Sequence, residues 1–419
     1  MNAAVRHTAP LKVAVLSSAS GGGAGIAARR VAAALNTLDE IEADFLDMVR
    51  LGGRVPDDAA PPGNMSNRRM TDTHFTVEYP GFVRGWLVDL LEQYDVLNIH
   101  WASFLLGLAE VDELSRRGMP ILFTCHDYYY FTGGCHYPAT CQNHAKGCIA
   151  CPQVNQDFCS PLVIAGNLKI KKRILNRLNV ALSAPSQFLV NEAVEAGLIG
   201  AEKTHVLRNP YSPVPGVARS SGSDTCRVVL LADSMTERRK NMPLAIESLS
   251  LAWSELKATS LGLGDTPFIV EVIGSADQRF VSVLHQAGFE FVLHGRLIEH
   301  RRIAELLAGC DFLLSCSNED NWPNVLVEAG AYGVIPIVGP GHGCEEFVSF
   351  LGSGYVASNY DVEAFAQTIV SALNQGIDTT ERESFQKRVT LSHLPAEVAH
   401  KYKAVFQRLL APISLEVLR

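Results

Sequence analysis

Asp320 and Glu328 are two carboxylates eight positions apart, set where the chain passes from an apolar run into a helical pattern. Residues 312–316 read as a buried strand, 318–321 as the loop beyond its carboxyl end and 325–331 as a helix with Pro323 near its first turn. In an open α/β sheet that loop is where ligands bind. Asp320 then lies at the positive end of the helix and Glu328 two turns further along it. Two separated acids suit partners rich in hydroxyl donors, a sugar and a ribose among them. The plainer alternative is that Asp320 caps the helix and Glu328 is a solvated helix residue.

Other clusters carry residue types that fit an anionic, hydroxyl-rich ligand. Ser18-Ala-Ser-Gly21-Gly22-Gly23-Ala-Gly25 follows the apolar run 11–17 and precedes an alanine-rich helical pattern over 27–35. Gly22, Gly23 and Gly25 let a backbone approach a ligand, and bare amides at a helix start bind phosphate. Without a full G-x-G-x-x-G, the same spacing also serves a tight strand-to-helix turn. Arg238-Arg239-Lys240 follows the strand pattern 228–232. It is either a solvated basic face or, through Arg239 and Lys240, a clamp on a diphosphate. His126 stands just past the run 121–125, and His100, next to Trp101, closes the run 96–100 in the same way. A neutral imidazole there either meets a ligand or is satisfied locally. Gly341-His342-Gly343-Cys344-Glu345-Glu346 reads as a glycine-dense loop after 335–338, with Glu346 as a further acid.

The elements that must position these residues alternate along the chain. Apolar runs at 96–100, 121–125 and 180–184, and again at 228–232, 268–273, 289–293, 312–316 and 335–338, are separated by helical patterns, as two parallel sheets require. A Pro-, Gly- and Ser-rich stretch, 209–224, divides the two series. The expected organisation is a first Rossmann-like domain over 1–210, a linker over 211–225, a second over 226–395 and a last helix over 396–419. Residues 52–79, rich in Pro, Asp, Asn and Arg, read as a long mobile loop. With 419 residues, 47% of them hydrophobic, the chain is long enough for two cores. A net charge of -8 argues against a protein that coats nucleic acid. No stretch reaches the ~18 consecutive apolar residues of a membrane span, and residues 1–11 lack the apolar core of a secretory signal, so a cytoplasmic address is expected.

Two features stand apart. Cys135, Cys141, Cys148 and Cys151 are spaced Cys-x5-Cys-x6-Cys-x2-Cys within one loop rich in Gly, His and Pro. Four thiolates so spaced can close a tetrahedral zinc site, with His136, His144 or Cys159 able to replace one ligand. Reduced thiols packed without metal and disulfides are the alternatives. Such a closed set implies a structural zinc and no catalytic metal. The segment 167–178 is a basic helix in an acidic protein, carrying Lys169, Lys171, Lys172, Arg173 and Arg177. It is an ordinary exposed helix or a face attracted to an anionic membrane carrying a lipid-diphosphate acceptor.

Taken with Asp320-Asn-x-Pro-Asn and Glu328, the chain resembles the retaining glycosyltransferases of the acid-x7-acid family, which includes bacterial exopolysaccharide and colanic-acid sugar transferases. The resemblance covers nearly the whole chain and implies the GT-B fold, an α/β arrangement of two Rossmann-like domains facing a central cleft, the first on the acceptor side, the second binding the nucleotide sugar, and the last helix crossing back to the first. It implies that Glu328 holds the ribose of a nucleoside diphosphate sugar, that Asp320 and His126 meet the transferred sugar, and that Arg239 and Lys240 bind the diphosphate. It places Gly22, Gly23 and Gly25 near the donor phosphates and the acceptor, and Glu346 with its glycine turn at the sugar and phosphate. Glutamate is the commoner first acid, so Asp320 departs from the usual form. The implied activity is hexosyl transfer to a saccharide or lipid-linked acceptor in polysaccharide biosynthesis, with no cofactor needed for chemistry and peripheral contact with the inner face of a membrane. A nucleotide-sugar epimerase of the same fold and a non-catalytic zinc-loop binding protein are the competing readings.

Overall fold

The apolar runs become the strands of two parallel sheets. The computed structural model describes residues 9–51, 75–78, 83–139, 141–149, 151–154, 160–219, 225–259, 268–376 and 378–411. Most of the loop expected over 52–79, the alternative ligand Cys159 and linker residues 220–224 lie outside them. The chain divides into two compact units, Met1–Pro210 with Pro395–Arg419, and Tyr211–Leu394.

The first unit holds β1 (Leu11–Leu16), β2 (Ile41–Leu46), β3 (Val96–Ile99), β4 (Ile121–Thr124), β5 (Val180–Ala184) and β6 (Thr204–Val206) in the order β2-β1-β3-β4-β5-β6, all parallel. Its central strands read as continuous apolar runs because both faces are covered. Ala14 and Leu16 face a core that includes the cysteine-rich segment and the helix Pro161–Leu175. Val13 and Val15 face the helices Gly22–Leu35 and Pro395–Leu410. The edge strand β2 was not among the expected strands, because Glu42 and Asp44 point outward and interrupt its apolar run.

The second unit holds β7 (Cys226–Ser234), β8 (Phe268–Ser275), β9 (Glu290–Gly295), β10 (Phe312–Ser315), β11 (Ile335–Val338) and β12 (Tyr355–Val356) in the order β12-β11-β10-β7-β8-β9. The described part of the expected linker is strapped to this unit. Tyr211 donates its N–H to the His393 carbonyl at 2.9 Å, Val214 donates to the Tyr332 hydroxyl at 2.8 Å, and Arg219 pairs with Asp311 at 2.6 Å. Asp311 also accepts from Arg382 at 3.1 Å and from the Arg227 amide at 2.9 Å, which pins the strap between strand and helix.

The last helix, Pro395–Leu410, belongs to the first unit, where Val398, Ala399, Tyr402, Val405 and Phe406 are buried along one face. Among the described residues, no helix is long and apolar enough to cross a membrane.

Candidate active site

In the second sheet the strand order reverses between β7 and β10, and the loops leaving these two strands carry the cationic and acidic candidates. Such a reversal opens a crevice at the carboxyl ends of the strands. Phe312 and Leu313 of β10 lie in register with Val228 and Val229 of β7, so the two loops emerge side by side. Arg239 and Lys240 lie on a short 3-10 turn, Arg238–Lys240, ended by Asn241 in the left-handed region at φ 49°. Backbone and side chain then tie the loops: Asn318 donates its N–H to the Arg239 carbonyl at 2.9 Å, and the Asn241 amide reaches the Asn318 side chain at 2.9 Å.

Asp320 is the acid on which this cluster turns. Its Oδ2 accepts from Lys240 Nζ at 2.6 Å and from Arg239 Nη1 at 2.8 Å. Burial alone would raise the carboxyl, but the Lys240 ammonium and the Arg239 guanidinium outweigh it and hold the group at about 2. Arg239 is fixed further by the Glu319 carbonyl at 2.9 Å and the Glu237 carboxylate at 3.0 Å. The sequence separated these roles, giving the cations to a phosphate and Asp320 to a sugar. The structure gathers the three into one charge-assisted cluster, so Asp320 does not act as a simple helix cap. The helix Asn324–Gly330 has Pro323 at its N-cap with no side-chain cap bond, and Glu328 sits on it half-buried.

Two residues that sequence reading left unassigned hold the acid loop. Trp322 is buried against Phe347 and His393, and its indole N–H bonds His393 Nε2 at 3.1 Å. Gly343 lies so close to the Asn321 carbonyl that a Cβ there would overlap it, and its amide bonds the Asp320 carbonyl at 2.9 Å. The stretch expected as a glycine-dense loop is therefore the first turn of the helix His342–Leu351. Its Gly341 amide is taken by the Glu345 side chain at 2.5 Å, so Glu345 closes this turn, while Glu346 follows on the half-buried face.

In the first unit the order reverses between β1 and β3. Ile99 is in register with Phe123, which brings His100 and His126 to the carboxyl ends of neighbouring strands. The Asn98 amide nitrogen donates to Thr124 Oγ1 at 2.7 Å and to the Leu122 carbonyl at 3.2 Å, so its oxygen faces His100 Nε2 at 2.9 Å. Burial holds His100 far below the usual histidine range, and the neighbouring His126 adds to this. A neutral His100 protonated on Nε2 accepts at Nδ1, and His126 Nε2 lies there at 2.8 Å. His126 thus donates from Nε2 and keeps its basic electron pair on Nδ1. Burial holds it at about 4, although the Asp127 charge pulls the other way. Behind this pair Asp127 accepts from His136 Nδ1 at 2.7 Å and from the Tyr129 amide at 2.8 Å.

The glycine motif after β1 is helical earlier than expected. The helix begins at Gly22, so Gly22, Gly23 and Gly25 form its first turn instead of a separate loop. Gly25 is required by packing, since a Cβ would overlap the Ala19 carbonyl. Gly22 has φ +70° with open space around it, which is the arrangement that admits close approach to the backbone.

The basic helix, observed as Pro161–Leu175, turns cations inward. Lys171 is buried, donating to the Tyr129 carbonyl at 2.6 Å and the Thr132 carbonyl at 3.0 Å. Arg173 and Arg177 each pair with Asp112 at 2.7 Å. Among the described residues, no group of three or more His, Cys, Asp or Glu side chains already stands as a metal site. Cys135, Cys141, Cys148 and Cys151 are unbridged, so the disulfide alternative does not hold, and all four line one hollow with His144.

Two parallel six-stranded α/β units with polar clusters at their strand-order reversals define the GT-B fold, shared with solved glycosyltransferases. The structure of Anabaena HepE in complex with UDP and glucose superposes with a TM-score of 0.61 at 15% identity, over 95% of this chain and 99% of that one. A glycosyltransferase from Rickettsia africae gives 0.64 at 13% identity, over 96% and 99%. Residues 222–390 match the family described as Glycosyl transferases group 1, which spans most of the second unit. A protein described as a colanic acid biosynthesis glycosyl transferase, WcaC of Escherichia coli K12, is 23% identical over 329 residues, 75% of this chain and 76% of its own length.

Proposed function

We propose that this protein is a retaining glycosyltransferase that moves a hexose from a nucleoside diphosphate sugar to a saccharide or lipid-linked acceptor in bacterial polysaccharide biosynthesis. The observation that carries the reading is the cluster of Arg239, Lys240 and Asp320 at the β7/β10 reversal, inside the region matching the glycosyl transferase family. Lys240 faces Asp320 and Arg239 faces both Asp320 and Glu237, and a diphosphate would share the two cations with these acids. As the glycosidic bond breaks, charge grows on that diphosphate, and Arg239 and Lys240 would stabilise it without reorganisation. Glu328 would hold the ribose, with Glu346 further along the same crevice, and Gly22, Gly23 and Gly25 would let the first unit's backbone approach phosphate or acceptor.

Neutral His126 suits a positioning role. It can accept a hydrogen bond from a sugar hydroxyl without placing a charge beside the reaction centre. Asp320 would orient the sugar, and the departing phosphate would take the acceptor's proton on the face where the new bond forms. No side chain of the chain is assigned as a covalent nucleophile. Because HepE was solved with UDP and glucose, UDP-sugars are the first donors to try. Lys169 and Lys172, the exposed remainder of the basic helix, would carry any contact with an anionic membrane surface.

The test is ligand-observed NMR of the full chain against UDP-, GDP- and dTDP-sugars, repeated with Glu328→Ala. Selective binding that is lost in the variant, with nucleoside diphosphate released only when an acceptor is present, supports the proposal. Turnover without an acceptor would point to an epimerase, and no binding of any nucleotide sugar would remove the reading.

A further inference from the structure

The cysteine-rich segment takes no part in the chemistry above, yet its thiols converge. Cys135, Cys141, Cys148 and Cys151 line the same hollow. A backbone amide is aimed at one of the sulfurs: Gly133 N–H lies 3.2 Å from Cys148 Sγ. An amide donor stabilises a thiolate more than a thiol, so Cys148 has a group that favours negative sulfur. The glycine pair before Cys135 serves the same packing. A Cβ on Gly133 would overlap Cys148 and Ile164, and one on Gly134 would overlap Phe75 and Thr76.

One polar group beside the hollow lacks a hydrogen-bond partner, and a buried cation lies close to it. His144 lines it, and its Nδ1 is buried without a hydrogen bond. The Lys171 ammonium, 2% exposed, lies 3.5 Å over the Tyr129 ring and donates to two carbonyl oxygens, with the Glu78 and Asp127 carboxyls near it. A zinc ion with four thiolates would add two negative charges on the side of the hollow.

We infer that Cys135, Cys141, Cys148 and Cys151 bind one structural zinc ion through their four sulfurs. Tetrahedral Zn–S bonds of about 2.3 Å would set the sulfurs roughly 3.8 Å apart, around one centre in the hollow that all four line. Uptake of Zn²⁺ releases the four thiol protons and leaves a dianionic cluster beside Lys171 and His144. The metal would fix Cys135, and through the adjacent His136 the Asp127 carboxylate next to His126.

The full chain, grown with zinc and purified without a metal-affinity step, should carry about one zinc per chain, released when the thiols are titrated with a mercurial. Cys148→Ser and Cys151→Ser should drop below a fifth of that content, while Cys226→Ser, in β7, keeps it. Cobalt added to the demetallated wild-type chain should give thiolate-to-cobalt charge-transfer bands and the intense visible bands of a tetrahedral site, a readout that does not depend on variants folding. Wild-type protein without zinc and without those cobalt bands would overturn the inference, as would full zinc retention in both serine variants.

Discussion

Asp320 is shared by two cations, and this sets opposite consequences for binding and turnover. Asp320→Asn removes the acid shared by both cations and frees Lys240 for a diphosphate while Arg239 keeps Glu237, so the variant should bind free nucleoside diphosphate more tightly while kcat falls by about 100-fold. Lys240→Met should weaken both, and titration calorimetry beside a transfer assay separates the two patterns. His126 makes a different prediction. Its folded value of about 4 lies below the ordinary 6.5, so the unfolded chain takes up a proton first as the solution is acidified. Its contribution to stability is intact above pH 6.5 and is lost as pH falls toward 4, by roughly 3 kcal/mol. Urea unfolding at pH 7 and pH 4.5 should show that loss, and His126→Gln should flatten it. The residue types of this site were legible because charge and glycine are rare inside apolar runs. The Asn98–His100–His126 chain was only half legible, since Asn98 lies inside a strand and shows its role only once β3 and β4 are in register.

Elements were most readable where both faces are buried, although the largely exposed β9 was also legible as the run 289–293. β1, β3, β4 and β10 appear as mostly apolar runs, broken by Lys12 in β1 and Asn98 in β3, while the edge strand β2 alternates with acids and the two-residue β12 leaves almost no pattern. The glycine segments were misplaced for a related reason. Gly22 and Gly343 lie inside helical first turns, and glycine's low helix propensity hides a start that is set by close packing. Gly343 lets the helix His342–Leu351 rest on the Asn321 carbonyl beneath Asp320. Gly343→Ala should therefore push the acid loop off its seat, weakening nucleotide-sugar binding at least 10-fold with a melting temperature within a few degrees of wild type. NMR titration with calorimetry checks both, and unchanged affinity would show that the loop yields without cost to the site.

At the scale of the whole molecule, the last helix completes a core begun at the other end of the chain. Tyr402 and Phe406 are fully buried with Val31, Leu35 and the strand residues Val13 and Val15. Phe406→Ala should destabilise the first unit by about 3–5 kcal/mol and leave the second unit's transition unchanged, which differential scanning calorimetry would resolve as one shifted peak. The bond from the Tyr211 amide to the His393 carbonyl bears on how such a chain is made. It joins the two ends of the second unit, so everything that unit needs has been synthesised before Pro395 is added. The first unit starts earlier and must wait, its sheet lacking the cover of Tyr402 and Phe406 until the helix Pro395–Leu410 is made. The order of completion is therefore inverted, and the segment synthesised first is the one exposed longest to chaperones and to aggregation.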